Sequence, residues 1–422
     1  MHKQHKPFYG WFIVAAAFIF MMMIVGFVTY GLPQFYPNYI QEFGWRRDQI
    51  QLGNSISKII VGPLFGFAAG WALERYGPRA VMAVGAACAG VALFGFSRMN
   101  SLNVLYGFFF FNALGYLCAG PLPCQVLIAN WFARWRGRMM GIAYVGIGAG
   151  GALAPWLIKW LRDGYGWRGA LAALGSIIFV TLLLLALFVI KAQPAQLGMF
   201  PDGDDAPAAA QPATGETMQL GRIFRTPAFW WLALGSVLSI SAVGGVIQNL
   251  PLYLADIAKS GEQAKQAAAV YPSLVLFTSI AGRLATGWAA DRFRKKDVMI
   301  TIFVLIGLAL PLLIFARERP VLLYVFAVVF GIGLGGDYML IPLMTAECFG
   351  LAGLSRVLGI IVMSDAVAEA SMPWLVARIR ENSGSYAPGF ALLTVVALLG
   401  ALAIAAIKYR DGKPESRWQL GQ

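Results

Sequence analysis

Twelve times along this chain an apolar run reaches the length of about 20 residues that a helix needs to cross the roughly 30 Å core of a bilayer. The runs are Tyr9 to Leu32, Gln51 to Leu73, Val81 to Ser97, Leu102 to Phe132, Met139 to Ile158 and Trp167 to Ile190, then Ala228 to Ala255, Gln266 to Ala290, Val298 to Phe315, Val321 to Phe349, Val357 to Ala377 and Ala387 to Ile407. Lipid offers a backbone no hydrogen bonds, so such runs fold as helices that satisfy themselves. Charged residues make up 13% of the chain, about half the fraction of a soluble domain. That is too few to coat the two or three water-soluble domains a chain of this length would otherwise form. The net charge of +13 would suggest nucleic acid in a soluble protein, but the bases sit in short clusters between the runs and read as topology signals, so no nucleic-acid partner is expected. The first run is too long for a secretory signal and lacks a small-residue cleavage site, which marks it as a retained helix.

Between the sixth and seventh runs lies the longest polar segment, 191–225, with Pro201-Asp202-Gly203-Asp204-Asp205 and the Ala/Pro-rich Ala206 to Ala213. This composition cannot bury a core and reads as a linker. The expected layout is a six-helix bundle over 1–190, the linker over 191–225, a second six-helix bundle over 226–410 and a tail over 411–422. With the N-terminus placed inside, 19 of the 33 Lys and Arg fall in inside segments, 12 outside and 2 within helices. The positive-inside rule then puts both termini in the cytoplasm. Shifting the chain on itself by 217 or 218 positions aligns Gly70, Glu74 and Arg75 with Gly287, Asp291 and Arg292. It also aligns Arg138, Gly141, Pro155 and Trp156 with Arg356, Gly359, Pro373 and Trp374, and Leu32-Pro33 with Leu250-Pro251. Matches at one offset in three places predict an all-α integral membrane fold of two parallel repeats, six helices plus six, with substrate bound between them near the midplane.

The segment after helix 2 reads Gly70-x-x-x-Glu74-Arg75-x-Gly77-Pro78-Arg79, and its echo after helix 8 reads Gly287-x-x-x-Asp291-Arg292-x-x-Lys295-Lys296. A glycine lets two helices approach, and an acid at a helix end can pair with bases or with the exposed amides of a neighbouring helix. A basic topology loop would explain the bases but not the placement of glycine and acid. The pattern resembles the cytoplasmic gate motif of the major facilitator superfamily, which implies gate roles for Gly70, Glu74, Arg75, Arg79, Gly287, Asp291 and Arg292.

Three further stretches, Tyr9-Gly10-Trp11, Asn130-Trp131-Phe132-Ala133-Arg134-Trp135-Arg136-Gly137 and Gly335-Gly336-Asp337-Tyr338, are similar to the monocarboxylate transporter branch and its oxalate/formate antiporter relatives. Gly146 and Gly150 share one face of helix 5, as close packing of membrane helices requires.

Away from the span ends, five charges stand within the apolar spans: Lys58, Arg283, Asp337, Asp365 and Glu369. At about 2.5 to 3.5 kcal/mol for a charge at the centre of a membrane helix, each is expected to face a cavity or a partner. The resemblance implies that Arg283 binds a substrate carboxylate, a task suited to its planar fork and permanent charge. A permanent structural ion pair with Asp365, at a similar depth, is the alternative. Carriers of the mammalian type place an aspartate one turn before this arginine, where Ser279 stands here, and oxalate antiporters carry a helix 11 lysine where Asp365 stands. These departures argue against oxalate exchange and for a monoanion whose proton travels on a helix 11 acid. Asp365 and Glu369, spaced i and i+4, repel each other, so at least one is expected to take up a proton near neutrality. With both histidines, His2 and His5, in the N-terminal tail, Asp337, Asp365 and Glu369 are the expected proton carriers, with charge compensation of Arg283 and Lys58 as the alternative role. Lys58, Asn112, Tyr116, Asn249 and Tyr338 are mid-span candidates for contacting a small hydroxy or keto acid.

The expected function is a proton-coupled symporter of a small monocarboxylate such as lactate or pyruvate, acting as a monomer in a bacterial inner membrane. Exchange of organic anions without protons is the alternative. No cofactor is expected, and the chain contains no G-x-x-x-x-G-K-[ST] nucleotide loop and no histidine in the apolar spans for a metal site or catalytic triad.

Overall fold

The computed structural model describes residues 8–204, 220–258, 262–351, 354–410 and 413–414. Both histidines, the Ala206 to Ala213 stretch and nearly all of the expected tail lie outside the described residues.

Helix 1 spans Gly10–Phe43 and changes winding along its length: Gly10–Met21 is α, Met22–Thr29 is π, Leu32–Phe35 is 3-10 and Tyr36–Phe43 is α again. Helices 2 (47–76) and 3 (78–98) form one Arg47–Arg98 element broken at Gly77, whose φ of 78° and ψ of 165° are readily adopted only by glycine. Helix 4 consists of Leu102–Ala119 and Pro121–Trp131, interrupted at Gly120. Helices 5 (136–165) and 6 (167–189) break at Gly166 in the same way. Both short turns replace what the sequence presents as loops. In the second half, helix 7 is Pro227–Ala258, helix 8 Glu262–Arg292, helix 9 Lys295–Phe315, helix 10 Val321–Phe349, helix 11 Leu354–Ser383 and helix 12 Ala387–Ala405. Among the described residues, the strand pairing is a two-residue antiparallel ladder of Tyr409–Arg410 with Lys413–Pro414.

Small residues set the packing, and they do so twice. Helix 5 lies on helix 1 through Gly146 and Gly150, which face Phe18, Met22 and Gly26, while helix 11 lies on helix 7 through Gly244 and Gly245. Helix 3 meets helix 6 at Gly90 and Phe179, and helix 9 meets helix 12 at Gly307 and Leu398. Helix 4 meets the helix 2–3 element at Gly53, Gly85 and Gly115, and helix 10 meets helix 8 at Gly282, Gly331 and Gly335. The halves join along two seams, helix 2 on helix 11 and helix 5 on helix 8.

Nine apolar stretches among the described residues are long enough by themselves to cross a membrane, and they account for helices 1, 3, 4, 6, 7, 9, 10, 11 and 12. Helices 2, 5, 8 and 11 belong to the seams, where a helix face meets protein instead of lipid and can carry glycine and charge.

The linker begins as ordered structure. Trp131 Nε1 donates to the carbonyl of Lys191 at 2.8 Å and the Tyr9 hydroxyl to that of Val189 at 3.0 Å. The Asp202 carboxylate accepts from the amides of Ala133 and Arg134 at 3.0 and 2.7 Å. Two of the sequence stretches singled out above, around Tyr9 and Asn130, thus meet on the side of the protein from which the linker leaves, hereafter the linker side.

Candidate functional site

On the linker side both seams are shut by the same construction. Glycine first lets the helices touch: a Cβ on Gly287 would come within 2.6 Å of the Gly137 carbonyl oxygen, and a Cβ on Gly66 within 2.9 Å of the Gly359 carbonyl oxygen. Gly70 lies against the backbone of Ser355 and Arg356. Acids then tie the ends. Asp291, at the end of helix 8, accepts from the amides of Gly137 and Arg138 at 2.6 and 2.9 Å, and Arg138 Nε stands 3.7 Å from the same carboxylate. It therefore meets the positive end of helix 5, whose first amides have no partner within the helix. Glu74, its repeat equivalent, forms an ion pair with Arg356 at the start of helix 11. Arg138 and Arg356 are themselves equivalent in the repeat, so each half offers an acid to the other half's helix start. Arg75 stacks over Trp71 and Tyr76, Arg292 stacks over Trp288, and Arg79 is exposed.

Deeper in the protein the two halves differ. Arg283 on helix 8 is 6% exposed. Helix 10 presses on it from one side, with Gly335 against the backbone of Ser279 and Arg283, and helix 5 leaves room on the other through Gly141 and Gly148. Its Nη1 donates to Ser279 Oγ at 2.7 Å, while Nε has no hydrogen-bond partner. Among the described residues Arg283 forms no ion pair.

Asp365 therefore does not close on Arg283. Both of its oxygens accept from the Ser236 hydroxyl of helix 7, at 2.9 and 2.8 Å. One turn away Ser239 donates to Asp337 Oδ1 at 2.7 Å, and Asp337 Oδ2 has no partner. Asp337 and Asp365 are 0% and 2% exposed, and no cation pairs with either among the described residues. Glu369 is different. It meets Lys58 of helix 2 across the seam, Nζ to Oε1 at 3.4 Å, with both side chains about one-third exposed.

Tyr116, Tyr338 and Asp365 line a cavity of about 30 Å³ together with Gln125, room for a water molecule or two. Gln125 in turn donates to the hydroxyl of Tyr144 on helix 5, and Tyr144 is close enough to Arg283 to feel its charge. Asn249 is occupied elsewhere, since its amide donates to the carbonyls of Gly245 and Pro373 at 2.9 and 3.1 Å. Asn112 is half-buried and does not line the cavity.

Sequence reasoning missed Tyr30. It follows the π segment of helix 1, and its ring is within electrostatic reach of Arg283, Lys58 and Glu369 together. It is nonetheless 44% exposed. With charges of both halves within its electrostatic reach, its exposed face borders the cleft between the halves. The serines of helix 7 were missed as well, because a hydroxyl on a membrane helix shows its purpose only once its neighbour across the helix boundary is known.

Known proteins share this architecture. The sequence model of the Major Facilitator Superfamily matches residues 18–288 and 265–422. Monocarboxylate transporter 12 of Rattus norvegicus is 27% identical over 96% of this chain and 88% of its own, and monocarboxylate transporter 13 of the same organism is 26% identical over 95% and 90%. Among solved structures, the proton:xylose symporter XylE superposes with a TM-score of 0.76 at 16% identity, covering 98% of each chain. A likeness this distant shows the fold alone. Twelve helices in two six-helix repeats, matched by the family's sequence pattern over nearly the whole length, make this chain an integral membrane transport protein that belongs to the Major Facilitator Superfamily.

Proposed function

We propose that the protein carries a small monocarboxylate such as lactate or pyruvate together with a proton, by alternating access, with the linker side cytoplasmic. The observation that carries the reading is the Arg283 guanidinium, buried between helices 5, 8 and 10 with a neutral hydrogen bond to Ser279 and no ion pair among the described residues. A buried cation without a carboxylate partner is costly and is stabilised by an incoming anion. Its planar fork fits a carboxylate at two points. Tyr30 and Tyr144, within electrostatic reach of the guanidinium, supply hydroxyls for the rest of a hydroxy or keto acid, and Tyr116 and Tyr338 line the small cavity beside Asp365. The relatives named monocarboxylate transporters support this substrate class.

Asp337 and Asp365 are the proton carriers in this proposal. Each meets a serine hydroxyl and, among the described residues, no cation, so a bound proton removes the cost of an isolated buried charge. Glu369 already has Lys58 and is left out of that role. With anion and proton both aboard, the centre stays near neutral, and the halves rock about it. The gate residues Gly70, Glu74, Gly287 and Asp291 close the linker side while the opposite side is open. Arg75, Arg79 and Arg292 contribute positive charge to that surface.

Uptake of labelled lactate into liposomes containing the protein, with and without an inward proton gradient, tests the reading. The gradient is expected to accelerate uptake several-fold, and Asp365→Asn to abolish that acceleration. Equal rates in both conditions, with acceleration only by internal anion, would replace symport with exchange.

A further inference from the structure

Lys58 and Glu369 form the ion pair of the cleft. They lie on helices 2 and 11, on opposite halves, 3.4 Å apart, with about a third of each side chain exposed. Tyr30, 44% exposed, is within electrostatic reach of both of them and of Arg283, so a solute beside it feels the pair and the guanidinium together. Among the described residues the other charged groups deep in the spans, Asp337 on helix 10 and Asp365 on helix 11, are turned into serines of helix 7 and are almost fully buried. A solute entering the cleft therefore meets two cations and one anion, and one of the cations is already engaged.

Building on the proposed carboxylate site, we infer that Glu369 sets how many negative charges the cleft accepts: by occupying Lys58 it leaves Arg283 as the one free cation among the described residues there and makes the protein selective for monoanions. Neutralising Glu369 releases Lys58 and creates a site for a dicarboxylate held at both ends. Depth fixes the length of that diacid. Lys58 stands 12 residues from Gly70 and Arg283 stands 4 residues from Gly287, and the two glycines are equivalent in the repeat. Eight residues at 1.5 Å separate the backbone positions of the two cations by about 12 Å in depth. A diacid of five or six carbons with a hydrogen bond of about 3 Å at each end spans that distance, and oxalate does not.

The experiment measures inhibition of labelled lactate uptake in proteoliposomes by adipate, monomethyl adipate and oxalate. Wild-type protein is expected to take the monoester about tenfold better than adipate, a comparison that needs no substitution. Glu369→Gln is expected to improve inhibition by adipate about tenfold or more and to leave oxalate unchanged. Adding Lys58→Met to Glu369→Gln returns the wild-type preference. The inference is overturned if wild type does not discriminate between adipate and its monoester, if Glu369→Gln gains no adipate affinity, or if the gain survives the loss of Lys58. Failure of wild-type protein to take up lactate or any other monocarboxylate instead removes the underlying carboxylate reading, so the two failures are distinguishable.

Discussion

The linker-side seams and the central layer are built from the same two repeats, yet one is symmetric and the other is not. At the seams, Gly70 matches Gly287, Glu74 matches Asp291, and Arg356 matches Arg138, and each acid reaches across to the opposite half. In the central layer Arg283, Asp337, Asp365 and Glu369 all belong to the second half, and the first half supplies Lys58 and hydroxyls. Positions that have kept the repeat serve the contact that both halves make with each other. Positions that have lost it are where a chemically asymmetric solute is recognised in the proposed function.

Substitutions at the two levels should fail differently. The largest effect is expected in the centre. Arg283→Lys keeps the charge but loses the two-point fork, and forfeiting one charge-assisted hydrogen bond of about 1.5 to 3 kcal/mol should weaken lactate uptake about tenfold to a hundredfold with the gate intact. Near-normal uptake by a well-folded variant would remove the guanidinium from the site. Next comes the seam. Gly287→Val places side-chain atoms against the Gly137 carbonyl, and overpacking of about 1 to 3 kcal/mol should disfavour the closed linker side. Transport should fall while binding, measured as thermal stabilisation by lactate, persists. Loss of both together would show that the seam and the centre are not separable. The smallest effect separates the two seams. Asp291 is nearly buried and serves two amides, whereas the Glu74 pair is more open to water. Asp291→Asn should therefore open the linker side more than Glu74→Gln, by about 1 to 3 kcal/mol against less than about 1 kcal/mol. Labelling rates of a cysteine placed at Val362 of helix 11, which lines the small cavity beside Asp365, in a background lacking Cys88, Cys118, Cys124 and Cys348, read this difference.

Much of the fold could be read from the sequence because lipid imposes a length and a composition that soluble cores do not. The repeat was legible at the seams, since the same contact made twice retains the same residues. A charge in the middle of an apolar run announced that Arg283 and Asp365 had to be sheltered, but not that they would find separate partners. That depended on helix rotation, which places Ser236 rather than Arg283 beside Asp365. Lys58 and Glu369 are 311 positions apart, and nothing local to either names the other. Asp202 was hidden for a different reason: its neighbours have the composition of a linker, and only the fold brings the amides of 133–135 to it.

The wider coil of Met22–Thr29 has a bearing on Tyr30. Its winding joins residues five apart instead of four, as the Thr29 hydroxyl bonding to the Ile24 carbonyl also shows. One residue of slack is thereby stored in helix 1, beside its crossing with Gly150. Letting that slack out would swing everything beyond it by about 100° around the helix axis. The phenol would then leave the passage between the halves, so its aim is held by the pitch of the eight residues before it.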